Sequence, residues 1–125
     1  MTEPAFEVAT LARLRDLIEV DIETRSTGGA AHRATIWVVV DASDRVLVRS
    51  WKGPGARWYR EAIATGDAGL VFNGTTVPVL VERATDPTRV AACSDELLAK
   101  YAGDPAARSM VRDEILDTTL ELRPG

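Results

Sequence analysis

Cysteine and long apolar runs are scarce in this chain of 125 residues. Cys93 is the only cysteine, so no disulfide can form within the chain and no metal site can be built from several thiolates. Its sequence neighbours include no base, which favours a buried, inert thiol over a nucleophile. No apolar run approaches the ~20 residues of a membrane helix, and the N-terminus lacks the pattern of a signal peptide. We therefore expect a cytoplasmic protein.

Lysine and histidine are also rare. Arginine outnumbers lysine thirteen to two, His32 is the only histidine, and the formal net charge is −4. An acidic chain argues against nucleic acid binding, because neutralising phosphates takes a broad basic surface. A lone histidine without an acid or thiol beside it in the sequence makes a poor metal site, so we predict none. The length fits one domain over residues 1–125.

Positive charge is nevertheless concentrated in one segment, residues 25–60. It holds seven basic residues against two aspartates, whereas the rest of the chain has a net charge of −9. Basic and aromatic residues interleaved in this way predict a site for an anionic ligand with a flat ring. The alternative is a solvated arginine surface. The residues concerned are Arg25, Arg33, Arg45, Arg49, Lys52, Arg57 and Arg60, with Trp37, Trp51, Trp58 and Tyr59.

The first half of the chain predicts a short helix and then three strands. Pro4 suits a first helical turn, and Val8, Leu11 and Leu14 recur at helical spacing. Apolar residues then alternate with charged ones from Ile18 to Arg25, as in a half-buried strand. The stretch 35–40 is apolar on both faces, which is typical of a central strand. A third strand over 45–51 would complete an antiparallel meander, because the connections are short.

The second half predicts helices inserted between further strands. After the loop 53–55, the pattern of Tyr59, Ala62 and Ile63 predicts a helix that ends near Gly66. Strands over 68–72 and 76–82 are joined by Asn73-Gly74, the strongest short hairpin signal. Helices over 94–101 and from Asp104-Pro105 onward, with Ala107, Val111 and Ile115 inward, precede a last strand over 118–123. Six strands with flanking helices give an α+β fold that can close into a small barrel.

The stretch from Glu23 to Gly74 resembles the split-barrel flavoproteins of the pyridoxamine 5'-phosphate oxidase-like superfamily. It is most similar to the branch of deazaflavin-dependent nitroreductases, and to a bacterial family of that superfamily without an assigned function. The resemblance implies a six-stranded antiparallel split β-barrel with flanking helices, acting as a homodimer with its cofactor at the interface. The matching features are Thr24, Gly28, Gly29, Arg33, Trp37, Lys52-Gly53 and Trp58-Tyr59-Arg60.

The resemblance also implies a cofactor, FMN or a deazaflavin coenzyme, whose phosphate is held by basic residues after the third strand. The implied activity is that of an oxidoreductase acting on a small conjugated or quinone-like molecule. A non-catalytic, dimeric ligand-binding or sequestering protein is the alternative, and a pocket that has lost its cofactor is a third reading. The implied cofactor-binding residues are Arg33, Trp37, Arg49, Ser50, Lys52, Arg57 and Trp58.

Three further expectations concern single residues. His32, in the turn before the second strand, is the candidate for proton transfer, because histidine titrates near neutral pH, and the alternative is a structural turn residue. Trp51, between Arg49 and Lys52, could stand where the ring of a cofactor should lie. We expect Arg49 and Lys52 to lie on an exposed face of one cleft with Arg33 or Arg57, so replacing either one with Ala should weaken flavin or deazaflavin binding and leave the melting temperature nearly unchanged.

Overall fold

The computed structural model describes residues 5–125, and Pro4, predicted in the first helical turn, lies outside that range. Seven antiparallel strands form one sheet, in the order β2-β1-β5-β6-β7-β4-β3, with helices packed around it. The helices are α1 (Val8–Asp16), α2 (Arg57–Thr65) and α3 (Pro87–Lys100). The strands are β1 (Val20–Arg25), β2 (Ala31–Ile36), β3 (Val39–Val40), β4 (Val46–Val48), β5 (Asp67–Phe72), β6 (Thr75–Arg83) and β7 (Leu120–Pro124). Three 3₁₀ segments cover Gly53–Gly55, Pro105–Val111 and Asp113–Thr118.

The first strand follows its alternating pattern from Val20 onward. Val20, Ile22 and Thr24 are buried and the residues between them are half-buried, as predicted. The prediction was wrong for Ile18, which precedes the strand and is 72% exposed. Its carbonyl oxygen accepts a hydrogen bond from Tyr101 Oη at 2.6 Å, so the backbone of this connection is held to the end of α3 while the side chain points outward.

The stretch 35–40 is not the single central strand that its apolar sequence predicted. β2 ends at Ile36 and β3 begins at Val39, and these two strands occupy opposite edges of the sheet. β2 pairs with β1, and β3 pairs with β4, so the predicted antiparallel neighbours are present. Because only two residues join the two edges, and a residue spans at most about 3.6 Å, the sheet must curl until its edges lie close together. The result is an open, curled half-barrel in which the break raises the strand count from six to seven.

The predicted hairpin and second helix are confirmed. β5 and β6 pair antiparallel across Asn73 and Gly74, both of which have positive φ angles of 52° and 71°. Two successive left-handed residues make the turn that matches the twist of a hairpin. α2 ends at Gly66, whose φ of 75° allows the left-handed cap that stops the helix.

The C-terminal section departs from prediction in two places, because α3 begins at Pro87 and not at Ser94, and the helix expected after it is not an α-helix. α3 begins after Asp86, whose carboxylate accepts a hydrogen bond from the Arg89 backbone N–H at 3.0 Å. The helix expected from Asp104-Pro105 through Ile115 is instead two 3₁₀ segments that meet at extended Arg112. Ala107 and Ile115 are buried as predicted, whereas Val111 is only half-buried and its neighbour Met110 is buried in its place. The apolar spacing thus identified two of the three inward residues and misidentified the helix type. No helix among residues 5–125 is long and apolar enough to cross a membrane.

Candidate functional site

A cleft of about 450 Å³ opens beside the free edge of β2, within the usual size range of small-molecule sites, about 300–1,000 Å³. Its walls come from four parts of the chain: β2 with the residues beside it, the loop after β4, the start of α2, and the 3₁₀ segment Pro105–Val111. Five of the seven predicted cofactor-binding residues meet here. The lining residues are Glu19, Ala34, Thr35, Ile36, Trp37, Arg49, Trp51, Lys52, Ala56, Arg57, Trp58, Ala106 and Met110.

The charge of the cleft is positive. Lys52 and Arg57 are exposed and line it from the loop after β4 and from the first residue of α2. Glu19 is the one carboxylate among the lining residues. Gly53, directly after Lys52, has a φ of 77° that only glycine adopts without strain, so it turns the chain at the base of this wall. The cleft thus offers two solvated cations to an anionic group.

Arg49 lines the same cleft but serves mainly to hold the fold together. Its side chain is 1% exposed, and its guanidinium donates hydrogen bonds to four protein groups. The prediction that it lies on an exposed face is therefore wrong, because β4 carries it into the interior between α3 and the 3₁₀ segments. Desolvation by burial lowers its pKa, although arginine keeps its proton under ordinary conditions. The acceptors are Thr119 Oγ1 (2.9 Å), Ser94 Oγ (2.9 Å), Met110 O (2.9 Å) and Val90 O (3.1 Å).

Two predicted residues lie outside the cleft lining. Ser50 is fully buried, and its Oγ donates to Gly53 O at 2.6 Å, so it shapes the loop that carries Lys52. Arg33 is exposed on β2 and pairs with Glu23 at 3.3 Å. A direct contact of either residue with a ligand stays a prediction.

The three tryptophans meet at the cleft in different settings. Trp37 stacks on Tyr101, with ring centroids 3.8 Å apart and planes 4° from parallel. Trp58 is buried and meets Tyr59 edge to face at 6.1 Å, so it belongs to the core and to the cleft wall together. Trp51 is 53% exposed. Its indole Nε1 donates to Ser109 Oγ at 2.9 Å, and the Arg112 guanidinium lies 5.9 Å from its ring centre, so the indole is fixed in place.

Sequence reasoning missed the wall that comes from the C-terminal half. Ala106 and Met110 lie about fifty residues beyond the basic segment and carry no charge or ring, so no local pattern marks them. Glu19 was interpreted only as the solvent-facing partner of a strand pattern. The signal that could have found these residues is the Asp104-Pro105 cap, since it starts the segment that crosses the cleft.

His32 lies on β2 and not in the turn where it was predicted. Its Nδ1 is 3.1 Å from both carboxylate oxygens of Glu61, which α2 brings to it from 29 residues away. The sequence shows no acid beside His32, so this pairing depends on the tertiary structure. His32 is not among the residues that line the cleft. It lies on the same strand two residues before Ala34, which does line the cleft.

Cys93 is buried as predicted. Its side chain is fully buried in a core cluster that includes Val39, Leu47 and Leu97. Burial raises the pKa of the thiol to about 11, so the nucleophilic thiolate is suppressed at neutral pH.

The arrangement can bind a flat, anionic molecule. Indole faces and edges provide apolar contact, and the two exposed cations provide charge for a phosphate or carboxylate. The ionisable lining residues are one glutamate, one lysine and two arginines. These lining residues include no histidine or cysteine, so the lining itself is suited to binding and orientation more than to proton transfer.

Solved structures with the same fold include proteins of several descriptions. HutZ, the heme storage protein of Vibrio cholerae, superposes with a TM-score of 0.65 at 9% identity, over 97% of this chain and 91% of that one. An F420 reductase gives a TM-score of 0.59 at 16% identity, over 100% and 96%. A conserved hypothetical protein, Rv2991 of Mycobacterium tuberculosis, gives 0.66 at 12% identity, over 100% and 83%. At these identities the likeness shows the split-barrel fold alone.

The sequence itself matches a family model. No curated protein sequence matches the chain. Residues 10–122 match the model of a family described as uncharacterized proteins conserved in bacteria, DUF2255. This match spans nearly the whole chain, from α1 to β7. The chain therefore belongs to the bacterial family DUF2255, and its fold is that of the split-barrel proteins.

Proposed function

We propose that this protein binds a flavin or deazaflavin cofactor in the cleft and acts as an oxidoreductase on a small conjugated molecule. The observation that carries the proposal is the meeting of Trp37, Trp51 and Trp58 with Lys52 and Arg57 in one cavity of about 450 Å³. Both cofactors combine a flat ring with a phosphate-bearing tail. The donor set of the cleft fits that combination, because indoles suit the ring and paired cations suit the phosphate.

Each part of the cleft has a separate task under this proposal. Lys52 and Arg57 hold the phosphate, and Arg49 supports the wall behind them through its bonds to Met110 O and Val90 O. Trp58 and Trp37 are fixed by their ring neighbours, so they orient a bound ring without losing much side-chain freedom. When bound, such a cofactor supplies hydride transfer, and the protein supplies binding, orientation and electrostatics.

The fold neighbours support two kinds of function. One is named an F420 reductase and another a heme storage protein, and both share the split-barrel fold with this chain. An oxidoreductase of the deazaflavin-dependent nitroreductase branch is our leading proposal. A dimer that binds or sequesters a flat ligand without catalysis is the alternative, and it is favoured by a cleft lining that contains no group suited to proton transfer at neutral pH.

We also propose that the active form is a homodimer. Trp51 lines the cleft and is 53% exposed, and tryptophan is a residue type that partner surfaces favour. A second copy placed there would cover Trp51 and complete the wall. Light scattering at micromolar concentration tests this, and a monomer would remove the interfacial part of the proposal.

The test of the cofactor proposal is calorimetric titration with FMN and with a deazaflavin coenzyme. Lys52→Ala and Arg57→Ala each remove one cation from the phosphate, which costs about 1.5–3 kcal/mol, or roughly ten- to a hundredfold in affinity. Arg60→Ala is the matched control, because Arg60 is exposed on the same helix and donates to Gly55 O outside the cleft lining. Wild type that binds neither cofactor would refute the proposal, as would variants that bind as tightly as wild type.

A further inference from the structure

His32, Glu61 and Thr24 form a cluster beside the cleft, and they come from three different elements. His32 Nδ1 on β2 is 3.1 Å from both Oε1 and Oε2 of Glu61 on α2. Thr24 on β1, 1% exposed, donates from Oγ1 to Glu61 Oε1 at 2.9 Å. The carboxylate is therefore fixed from one side by a buried hydroxyl and faces the imidazole from the other.

The contacts determine which ring nitrogen is available. Desolvation alone would raise the pKa of Glu61, but hydrogen bonds from Thr24 and His32 and the positive charge of Arg57 hold it below its usual value. An ionised carboxylate only accepts hydrogen bonds, so the Nδ1 atom of His32 carries the hydrogen that Glu61 accepts. Within residues 5–125 nothing hydrogen-bonds Nε2, and the side chain is 32% exposed. Nε2 is thus the atom that can exchange a proton with a bound molecule.

The cluster adjoins the cleft along two elements. His32, Ala34 and Ile36 are the more buried residues of β2, so their side chains share a face, and Ala34 and Ile36 line the cleft. Two strand residues span about 6.6 Å, so the backbone of His32 lies about that far from the lining residue Ala34. On α2, Glu61 follows Arg57 by one helical turn, and Arg57 also lines the cleft. Glu61 is the charged group in contact with His32, and the positive charge of Arg57 acts on Glu61.

We propose that His32 donates the proton for reactions of a molecule bound in the cleft, with Glu61 as its positioning residue. This inference rests on the proposed function, since it needs a reduced flavin-type cofactor as the source of hydride. The substrate class is a conjugated carbonyl or quinone-like molecule that reaches past Ala34. Such a molecule gains a hydride from the cofactor and a proton from Nε2–H, so it is reduced by two electrons while the cofactor is oxidised. The neutral imidazole then regains its proton from water.

The choice of His32 follows from what the lining lacks. The residues that line the cleft include no histidine, and the exposed cations Lys52 and Arg57 already serve the anion. Histidine is the type that exchanges protons around neutral pH. Glu61 fixes the tautomer and orients the ring, as a carboxylate does for an imidazole that acts as an acid or base.

The first test uses the fact that the chain has one histidine. The ring protons of His32 therefore give single proton NMR signals that need no assignment. Oxidised FMN added to the wild-type protein should shift both signals, whereas inorganic phosphate, which occupies only the cationic end, should move them much less. FMN that binds by calorimetry and leaves the His32 signals in place would overturn the inference and leave the proposed function standing. Absence of FMN and deazaflavin binding would overturn both.

The second test separates proton donation from a merely structural role. With protein loaded with chemically reduced FMN or deazaflavin as the hydride source and menadione as acceptor, His32→Gln should lower the rate about a hundredfold or more, the usual contribution of a general acid. Its cofactor Kd should stay within about twofold of wild type. Glu61→Gln should lower the rate less and change the pH profile, because the ring loses its orienting charge. Glu23→Gln is the matched control, since Glu23 lies on the other face of β1 and pairs with Arg33.

Two outcomes would contradict this assignment. Equal rates and pH profiles in wild type, His32→Gln and Glu61→Gln would show that the cluster only fastens β2 to α2. The same conclusion would follow if His32→Gln lost activity only in proportion to its loss of folded protein by circular dichroism. Should His32→Gln fail to fold, Glu61→Gln and Thr24→Val provide the same comparison, and the wild-type NMR test is unaffected.

Discussion

Replacing Arg49 should destabilise the fold, although a charged side chain in a basic segment is usually expendable. The guanidinium is 1% exposed and joins β4 to Thr119, to α3 through Ser94 and Val90, and to the 3₁₀ segment through Met110. No carboxylate among residues 5–125 forms an ion pair with it. These four hydrogen bonds therefore offset the free-energy cost of burying the guanidinium charge. Arg49→Ala removes all four and leaves a cavity.

The magnitude follows from two opposing contributions. Hydrogen bonds to a charged donor contribute about 1.5–3 kcal/mol each, so four of them contribute about 6–12 kcal/mol before costs. Burying an ion costs several kcal/mol, and the variant no longer has that cost. We expect a net loss of about 2–4 kcal/mol, which for a chain of this length lowers Tm by roughly 8–16 °C. Arg49→Met should lose less than Arg49→Ala, because it refills the cavity without a buried charge.

Differential scanning calorimetry and urea unfolding measure this loss directly. Lys52→Ala is the matched control, since Lys52 is an exposed cation three residues away, and its Tm should change by no more than about 2 °C. If Arg49→Ala melts within 2 °C of wild type, as Lys52→Ala should, then Arg49 does not hold the fold together. The guanidinium would then be as available to a ligand as its position in the basic segment suggested.

Three further predictions test other parts of the structure. Cys93, with its pKa raised to about 11, should react with Ellman's reagent at pH 8 only after denaturant is added, and rapid reaction of the native protein would contradict its burial. Gly74→Val should lower the free energy of unfolding by about 1–2 kcal/mol, because φ there is 71°, and Gly74→Asn should cost less. Burial lowers the pKa of Lys100 to about 8, so the folded state loses this proton before the unfolded state does, and its contribution to stability should rise from about pH 8 to pH 10.5. Both proteins in the comparison carry Cys93→Ala, because the raised pKa of that thiol also makes stability depend on pH in this range. In that background Lys100→Met should abolish the rise, and an unchanged slope would refute the prediction.

Local sequence signals were enough for the elements that depend on neighbouring residues. The turn at Asn73-Gly74 and the stop at Gly66 rest on backbone angles that glycine and asparagine adopt readily, so they are visible in the sequence. The alternation of β1 was visible for a different local reason, because its apolar residues share the buried face and its charged residues lie on the half-buried or exposed face. Fold class followed from these elements together with the resemblance.

The remaining features depend on contacts between distant residues. An apolar run such as 35–40 fits a continuous strand or one that breaks between two sheet edges, and only the closure of the sheet decides. Arg49 and Lys52 look equivalent in the sequence, yet β4 buries the first and a loop exposes the second. The pairing of His32 with Glu61 spans 29 residues and two elements, so no spacing rule predicts it.

The place of β7 in the sheet has a consequence for synthesis on the ribosome. β7 follows every other strand along the chain but lies between β6 and β4. Until residues 120–124 have left the exit tunnel, the nascent chain can hold only two separate pieces of sheet, β2-β1-β5-β6 and the small β3-β4 pair. Among residues 5–125, the strand that pairs with the free edges of β6 and β4 is β7, so both edges stay unpaired until then, and such edges are where nascent chains associate wrongly. The order of strands thus delays completion of the sheet to the last step of translation of this segment.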